Sequence, residues 1–244
     1  MNQVPAASEG DVSGVEVSEV RVGEWTIVSV MTGAPWRQRC YIVMADADRE
    51  GVVIDPGGKS KRIAEEIRRY QLANRGVLLT HAHHDHVGAV ASVCREFGVK
   101  CFVDEADARL LGHAPLYAFR FGGRKIEKPG PVEFFRTDFH RLASHAIRIR
   151  RTPGHTAGSV VFEFPGFAMT GDTLLFQCVG RTDLPGGDAV ALRKSVDALL
   201  RDLAPETVMF PGHGRSWTVA EAREWWAAGA DAPRPALDNF EMLP

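Results

Sequence analysis

One run of six residues, His81-Ala82-His83-His84-Asp85-His86, constrains this 244-residue chain more than any other feature of its sequence. It holds four of the nine histidines, follows the apolar stretch 77–79, and precedes apolar residues at helical spacing. A strand that runs into a loop and a helix can point several side chains at one spot beyond its carboxyl end. Without a metal ion, such clustered imidazoles repel each other whenever they are protonated. The run therefore predicts a metal site, and its imidazole and carboxylate ligands suit Zn, Fe and Mn.

Three further predicted strand ends carry the same ligand chemistry. Each places a glycine beside a histidine or an aspartate, at a point where the backbone must turn tightly. The candidate ligands at these turns are His155, Asp172 and His213. One such turn would be weak evidence by itself, but four of them in one chain predict a metal centre.

Short apolar runs rich in Val and Ile alternate with amphipathic helical patterns along the chain. Helices are predicted at 59–71, 188–203 and 219–226, and another from about 87 that ends at Gly98. Strands are predicted at 25–30, 40–44, 52–54, 77–79, 99–103, 146–149, 160–164, 167–169 and 207–210. Consecutive strands fill the middle, whereas strands and helices alternate toward both ends. This order indicates two packed sheets with helices outside, in a single α/β domain.

The domain is predicted to span residues 20–244. Residues 1–19 are small and polar and are expected to form a flexible leader, with no signal-peptide pattern. No stretch approaches the ~18 apolar residues that span a bilayer, so we expect a cytoplasmic protein with no membrane partner. Residues 113–140, rich in glycine, proline and aromatics, are predicted to be a long loop or cap. The end of the chain from residue 230 reads as an irregular tail.

Charge and cysteine content narrow the function classes. Lys and Arg (29) nearly balance Asp and Glu (31), which excludes a general polyanion-coating protein. Residues 113–151 carry nine basic and three acidic residues, a local balance of +6. Either this segment meets an anionic acyl carrier, or it is a solvated strand face, because Arg148 and Arg150 alternate with isoleucines. Tyr117, Phe119 and Phe121 also alternate, and either line a pocket or anchor the cap.

The four cysteines contain no C-x-x-C pair, which is typical of a reducing compartment.

At the level of its motifs, the sequence resembles the metallo-β-lactamase-fold hydrolases. The resemblance rests on residues 80–86, 152–159, 170–172 and 211–214, with 53–58 similar to the first motif of that superfamily. Residues 180–188 resemble the corresponding loop of the glyoxalase II-like (hydroxyacylglutathione hydrolase-like) group, and specifically its compact bacterial members. The resemblance covers residues 25–214. It implies a four-layer αββα sandwich that binds two divalent metal ions.

The resemblance also implies a role for each candidate ligand. One ion would be held by His81, His83 and His155. The other would be held by Asp85, His86 and His213, and Asp172 would bridge the two. Asp55 would steady the ligands from outside the set. Zinc is the expected metal, with iron or manganese as alternatives.

The reaction expected from this resemblance is hydrolysis of a thioester, of the acylglutathione kind or a related one. A metal-bridged hydroxide would attack the carbonyl, and Asp85 would orient it as the catalytic side chain. Glyoxalase II proper has a helical domain after the last histidine ligand, which helps to hold glutathione. Only thirty-one residues follow His213 here, so the acyl carrier stays open.

Several alternatives remain beside the thioesterase. A lactonase or another ester hydrolase would use the same site. A persulfide dioxygenase would use a single iron. A tRNA-processing nuclease would use the basic segment to contact phosphates, although nucleic acid is the less favoured partner. A class B β-lactamase is disfavoured, because those enzymes commonly have cysteine where Asp172 stands. A structural zinc protein is also disfavoured, because such sites are usually cysteine-rich and none of the four cysteines is at a ligand position. The oligomeric state is left open.

Overall fold

Two β-sheets lie face to face in a computed structural model that describes residues 17–33, 37–142 and 144–229. The first sheet has the strand order β1 (Val17–Val22), β2 (Trp25–Met31), β3 (Arg39–Ala45), β4 (Glu50–Ile54), β5 (Ala73–Leu78), β6 (Cys101–Val103) and β7 (Val132–Phe134). The second has the order β15 (Trp217–Thr218), β14 (Val208–Pro211), β11 (Phe167–Gly171), β10 (Val160–Phe164), β9 (Ala146–Arg151) and β8 (Phe139–Arg141). A short hairpin pairs β12 (Leu174–Leu175) with β13 (Cys178–Val179).

Helices cover both outer faces of this pair of sheets. They are α1 (Ser60–Arg69), α2 (His84–Val87), α3 (Val90–Phe97), α4 (Ala108–Gly122), α5 (Ala189–Asp202) and α6 (Val219–Ala227). Apolar residues of α1, α3 and α4 share one buried cluster with the first sheet, for example Ile63 and Leu111. Residues of α5 and α6, such as Val196, share another with the second sheet. The result is the four-layer αββα sandwich expected from the sequence.

The central core lies between the sheets. Successive side chains of a strand point to opposite faces, so one strand contributes to two cores. In β2, Trp25 and Ile27 point toward the second sheet, whereas Val28 and Val30 point toward the helices. Phe162 and Phe167 fill the space opposite Trp25, and all three are almost completely buried. Burial on both faces explains why β2, β3 and β4 read as largely continuous apolar runs.

Strand direction decides where the site lies. In the first sheet β4 and β5 run parallel, so both carboxyl ends reach the same edge. In the second sheet β11 runs parallel to β14, and β9 has the same direction because both β9 and β11 are antiparallel to β10. The loops after these five strands carry Asp55, residues 81–86, His155, Asp172 and His213. The candidate ligands therefore meet at one edge of the sandwich.

The predicted helices and strands are present, with shifts at their ends. The helix expected from about residue 87 is divided into α2 and α3, and Gly98 ends it in a left-handed conformation at φ 63°. Asp188 caps α5, since its Oδ1 accepts hydrogen bonds from the Val190 and Ala191 amides, each at 2.9 Å. Among the described residues, no helix has the length and apolar character to cross a bilayer.

The predicted start of the domain differs from the structure by three residues. Strand β1 begins at Val17 and pairs with β2, with Val17 opposite Val30. Residues 17–19 therefore belong to the sheet and not to a flexible leader, because cross-strand pairing with β2 extends this far. The remainder of the predicted leader and the tail from residue 230 lie outside the described residues.

The loop or cap predicted at 113–140 is wrong in its first part. Helix α4 runs through residue 122 with Pro115 inside it and ends at Gly123, which has a left-handed φ of 60°. Proline inside a helix costs about 3 kcal/mol in intrinsic propensity. Leu111, Ala114 and Ala118 offset that cost by burying one stripe of the helix against the core. Strand β7 and the start of β8 also lie in the predicted loop.

Candidate metal centre

Three histidines form the first group of potential ligands. His83 Nδ1 lies 2.8 Å from His155 Nε2, which lies 3.2 Å from His81 Nε2. All three side chains are buried, and burial lowers the pKa of each ring. The rings are therefore neutral at neutral pH, and their nitrogen lone pairs converge on one point. Such an arrangement is repulsive unless a cation occupies that point, as in histidine-ligated metal sites.

A second group consists of Asp85, His86 and His213. His213 Nε2 lies 3.3 Å from Asp85 Oδ2 and 3.3 Å from His86 Nε2. Burial acts to lower the pKa of His86, but the Asp172, Asp85 and Asp55 carboxylates outweigh it and raise the pKa to about 10. Burial also acts to lower the pKa of His213, but the Asp172 and Asp85 carboxylates outweigh it and raise the pKa. This half of the centre thus attracts positive charge, which a divalent cation supplies.

Asp172 lies between the two groups. Its Oδ2 is 3.6 Å from His155 Nε2 and 3.5 Å from His213 Nε2, and its Oδ1 is 3.5 Å from His86 Nε2. Oδ1 is buried and accepts no hydrogen bond from any described residue. A buried carboxylate oxygen that accepts no hydrogen bond is unfavourable, and a bound cation would remove that cost. Five imidazoles and two carboxylates, in two groups that share Asp172, therefore fit two divalent ions.

Asp55 holds the ligands from behind. Its Oδ1 accepts a hydrogen bond from the Thr80 amide at 2.8 Å, and its Oδ2 accepts one from Thr80 Oγ1 at 2.5 Å and lies 3.0 Å from His86 Nδ1. Asp55 also forms a third group of close donor atoms with His81 and His86. Because both of its oxygens are engaged and it contacts the rear nitrogen of His86, we assign it to orienting that ring. Similarly, His155 Nδ1 lies 2.7 Å from the Arg181 carbonyl oxygen.

We expect Asp55→Ala to weaken metal binding by about 10-fold to 100-fold, because the His86 ring and the Thr80 amide lose their acceptor. Competition with a chelator of known affinity measures this change. The matched control is Asp48→Ala, which removes an exposed carboxylate that accepts the Glu50 amide at 2.9 Å away from the site. Equal metal affinity of the Asp55 variant and the control would contradict the assigned role.

Asp107 is a supporting residue that the sequence analysis missed. Its Oδ2 accepts hydrogen bonds from the Ala82 amide and the Thr156 hydroxyl, each at 2.9 Å, and its Oδ1 accepts one from the Gly158 amide at 2.8 Å. The carboxylate thus ties the loop of His81 and His83 to the loop of His155. Burial raises the pKa of Asp107, and these hydrogen bonds offset part of that shift. The partners are 25 to 51 residues apart in sequence, so no local pattern reveals them.

Two glycines of the motifs are required by close backbone approach. A Cβ on Gly57 would lie 1.6 Å from the Asp85 carbonyl oxygen, and a Cβ on Gly212 would lie 2.3 Å from Asp172 Oδ1. Both distances are far inside van der Waals contact. The glycines therefore let the loops after β4 and β14 pack directly against the ligand-bearing segments.

A cavity of about 150 Å³ opens onto the two ligand groups. Tyr117 and Phe121 of α4 line it, whereas Phe119, on another side of the helix, is 61% exposed. The three aromatics thus do not act as one alternating set, since residues 117 and 121 are one helical turn apart. His84 also lines the cavity but is in neither ligand group. The other unassigned histidines, His113, His140 and His145, lie outside both groups as well.

The three arginines of β9, which are three of the nine basic residues of segment 113–151, are ion-paired. Arg148 and Arg150 both pair with Glu163, and Arg150 also pairs with Asp202 at 2.8 Å. Arg151 pairs with Asp104 at 3.0 Å and with Asp138 at 2.7 Å. Along β9 the isoleucines are buried, whereas Arg148 is exposed and Arg150 partly so. For β9, these contacts favour the solvated strand face over an anion-binding surface.

Comparison with known proteins agrees with this geometry. The family model described as the metallo-beta-lactamase superfamily matches residues 34–213. Hydroxyacylglutathione hydrolase GloC of Haemophilus influenzae is 31% identical over 201 residues, which cover 80% of this chain and 94% of that protein. The crystal structure of the BLEG-1 B3 metallo-beta-lactamase has a TM-score of 0.73 at 30% identity, covering 80% of this chain and 95% of that one. The di-iron-bound form of TTHA1623 has a TM-score of 0.71 at 36% identity, covering 79% and 96%. The chain belongs to the metallo-β-lactamase superfamily.

Proposed function

We propose that this protein is a two-metal hydrolase that cleaves thioesters of the acylglutathione kind or closely related ones. The observation that carries the proposal is the pair of ligand groups sharing Asp172 at the end of an open cavity. A structural metal site is normally closed by protein ligands, whereas a catalytic one keeps access for substrate. The similarity to a hydroxyacylglutathione hydrolase supports the thioester class.

In this proposal His81, His83 and His155 would hold one ion, and Asp85, His86 and His213 would hold the other. Asp172 would serve as a ligand to both. Zinc is the metal we expect, with iron or manganese as alternatives, and a related protein has been crystallised with two irons. Bound divalent ions supply a water activated at neutral pH and polarise the scissile carbonyl.

The side chains around the centre have separate tasks. Asp85 lines the cavity, so its carboxylate is placed to accept a hydrogen bond from the attacking water and thereby orient it. Asp55 and the Arg181 carbonyl fix the ring orientations of His86 and His155. The thiolate that leaves when a thioester is cleaved is a good leaving group, so no strong general acid is needed near the sulfur.

A lactonase or other ester hydrolase is the main alternative, because the same centre attacks lactones and thioesters alike. A persulfide dioxygenase with one iron and a tRNA-processing nuclease are weaker alternatives, the latter because the arginines of β9 are already paired with carboxylates. We expect a small-molecule acyl substrate and a cytoplasmic location. The free cysteines Cys40, Cys94, Cys101 and Cys178 support a reducing compartment.

One purified preparation tests the proposal. We expect two metal ions per chain and the highest kcat/KM for a thioester in a panel that also contains a lactone, a β-lactam, a phosphodiester and a persulfide with oxygen. His83→Ala should lower both metal content and turnover, whereas His113→Ala, on the exposed part of α4, should alter neither. One iron per chain with oxygen consumption, or full metal content and turnover in His83→Ala, would show that the proposal is wrong.

A further inference from the structure

Most of the cavity lining beyond the ligand groups is apolar. It consists of Leu110, Tyr117, Phe121, Leu175, Leu184 and Pro185, with Gly180 and the polar side chains of His84 and Arg181 beside them. Tyr117 and Phe121 stack with ring centroids 5.9 Å apart and an interplanar angle of 22°. Three separate parts of the chain, α4, β12 and the 180–185 loop, thus contribute apolar side chains to the cavity wall.

Helix α4 carries two apolar faces with different uses. Leu111, Ala114 and Ala118 face the core, while Leu110, Tyr117 and Phe121 face the cavity at the spacing i, i+7, i+11. Phe121 remains 49% exposed. Covering an exposed aromatic ring with an apolar group is favourable by about 25 cal/mol per Å². The cavity face of α4 is therefore suited to an apolar ligand group.

Free charge on the cavity wall is small. Arg181 is the one side chain of Lys or Arg among the described lining residues. It forms two hydrogen bonds with Asp183, at 2.7 and 2.6 Å, which lower the pKa of Asp183 to about 2. Because the Asp183 carboxylate balances this guanidinium, the pair adds no net charge to the cavity wall.

Resting on the thioesterase function proposed above, we infer that the substrate has an apolar acyl group, which packs against Leu110, Tyr117 and Phe121. A cavity of about 150 Å³ with apolar walls is large enough to bind a benzene-sized molecule. The carbonyl lies at the ligand groups, and an aliphatic chain of about six carbons or an aromatic ring covers the α4 wall. A short hydroxyacyl group such as lactoyl leaves that wall exposed to water and is a poor substrate.

A series of thioesters on one neutral thiol, N-acetylcysteamine, tests this inference with the metal-loaded protein. We expect kcat/KM to rise about twofold to fourfold per methylene from acetyl to hexanoyl, since a buried methylene is worth at most about 0.8 kcal/mol. Phenylacetyl should equal or exceed hexanoyl, and lactoyl should be no better than acetyl. The unreactive thioethers S-hexyl- and S-methyl-N-acetylcysteamine, titrated by calorimetry, should show the same preference in binding.

Substitutions on α4 locate the preference. Phe121→Ala should lower kcat/KM for hexanoyl by about tenfold and for acetyl by less than about twofold. Phe119→Ala removes an equally large, exposed aromatic of the same helix and should alter neither. Both side chains are largely exposed, so neither variant should unfold the protein.

The outcomes separate this inference from the proposed function. A flat or falling acyl series, with acetyl thioester still hydrolysed, overturns the inference and leaves the thioesterase function intact. No hydrolysis of any thioester overturns the function instead. In that case the calorimetric comparison of the two thioethers still tests whether the cavity binds an apolar group. Equal affinities for the hexyl and methyl thioethers would overturn the inference.

Discussion

Replacement of Asp172 by alanine is expected to lower kcat/KM at least about 10³-fold and to reduce the metal content below two ions per chain. The carboxylate lies within 3.6 Å of nitrogens in three histidines from both ligand groups. Its loss leaves those imidazoles without the negative charge that balances two cations, and it removes the shared ligand on which a two-metal mechanism depends. Metal analysis and steady-state kinetics on the same sample measure both effects.

Two further variants make this result specific. Asp172→Asn keeps the size and one acceptor but removes the charge, so we expect it to retain more metal than alanine does and still to lose most activity. Asp138→Ala removes an exposed carboxylate that pairs with Arg151 and should behave as wild type. Full metal content with wild-type turnover in Asp172→Ala would mean that Asp172 does not bridge the centre.

Asp107→Ala is expected to destabilise the protein by about 3–5 kcal/mol. Asp107 is 1% exposed and accepts three hydrogen bonds, two of them from backbone amides. Alanine leaves those donors buried without an acceptor, and each unsatisfied donor costs about 1–3 kcal/mol of stability. It also removes the link between the loop of His81 and His83 and the loop of His155. A chain of this size should then melt roughly 10 °C lower at a fixed metal concentration.

Thermal melting and urea unfolding of the metal-loaded protein measure this loss. Asp107→Asn retains one acceptor oxygen and should lie between wild type and alanine. Asp138→Ala again serves as the exposed control, because surface substitutions usually change stability by less than about 0.5 kcal/mol. A loss of under about 1 kcal/mol in Asp107→Ala would mean that water replaces the carboxylate, and that Asp107 does not hold the two loops together.

The candidate metal ligands were predictable because each lies where local sequence and topology agree. A strand pattern, a tight glycine turn and a ligand residue occur together at His155, Asp172 and His213. Parallel strands place such ends at one edge of a sheet, so the residues converge once the fold class is known. The structure brings the seven predicted residues together, six of them in two groups of three and Asp172 between the groups.

The cap region was mispredicted because composition and packing disagree there. Glycine, proline and aromatics between residues 113 and 140 suggested a loop, yet burial of Leu111, Ala114 and Ala118 sustains α4 despite Pro115. For the same reason, the part of the cavity wall that α4 forms was not predicted. In an extended segment, Tyr117, Phe119 and Phe121 would point to the same side. In the helix, Tyr117 and Phe121 face the cavity and Phe119 points away from it.

The sequence by itself determined the sandwich and the candidate ligands, because periodicity, glycine turns and ligand chemistry are local properties of the chain. Only the tertiary structure decided the parts that depend on distant contacts. Asp107 joins the loop of Ala82, which lies 25 residues before it in the chain, to the loop of Thr156, which lies 49 residues after it. Ion pairs with Glu163 and Asp104 balance the charge of the arginines on β9. The apolar wall exists because α4 folds over the centre, and neither composition nor spacing specifies where a helix docks.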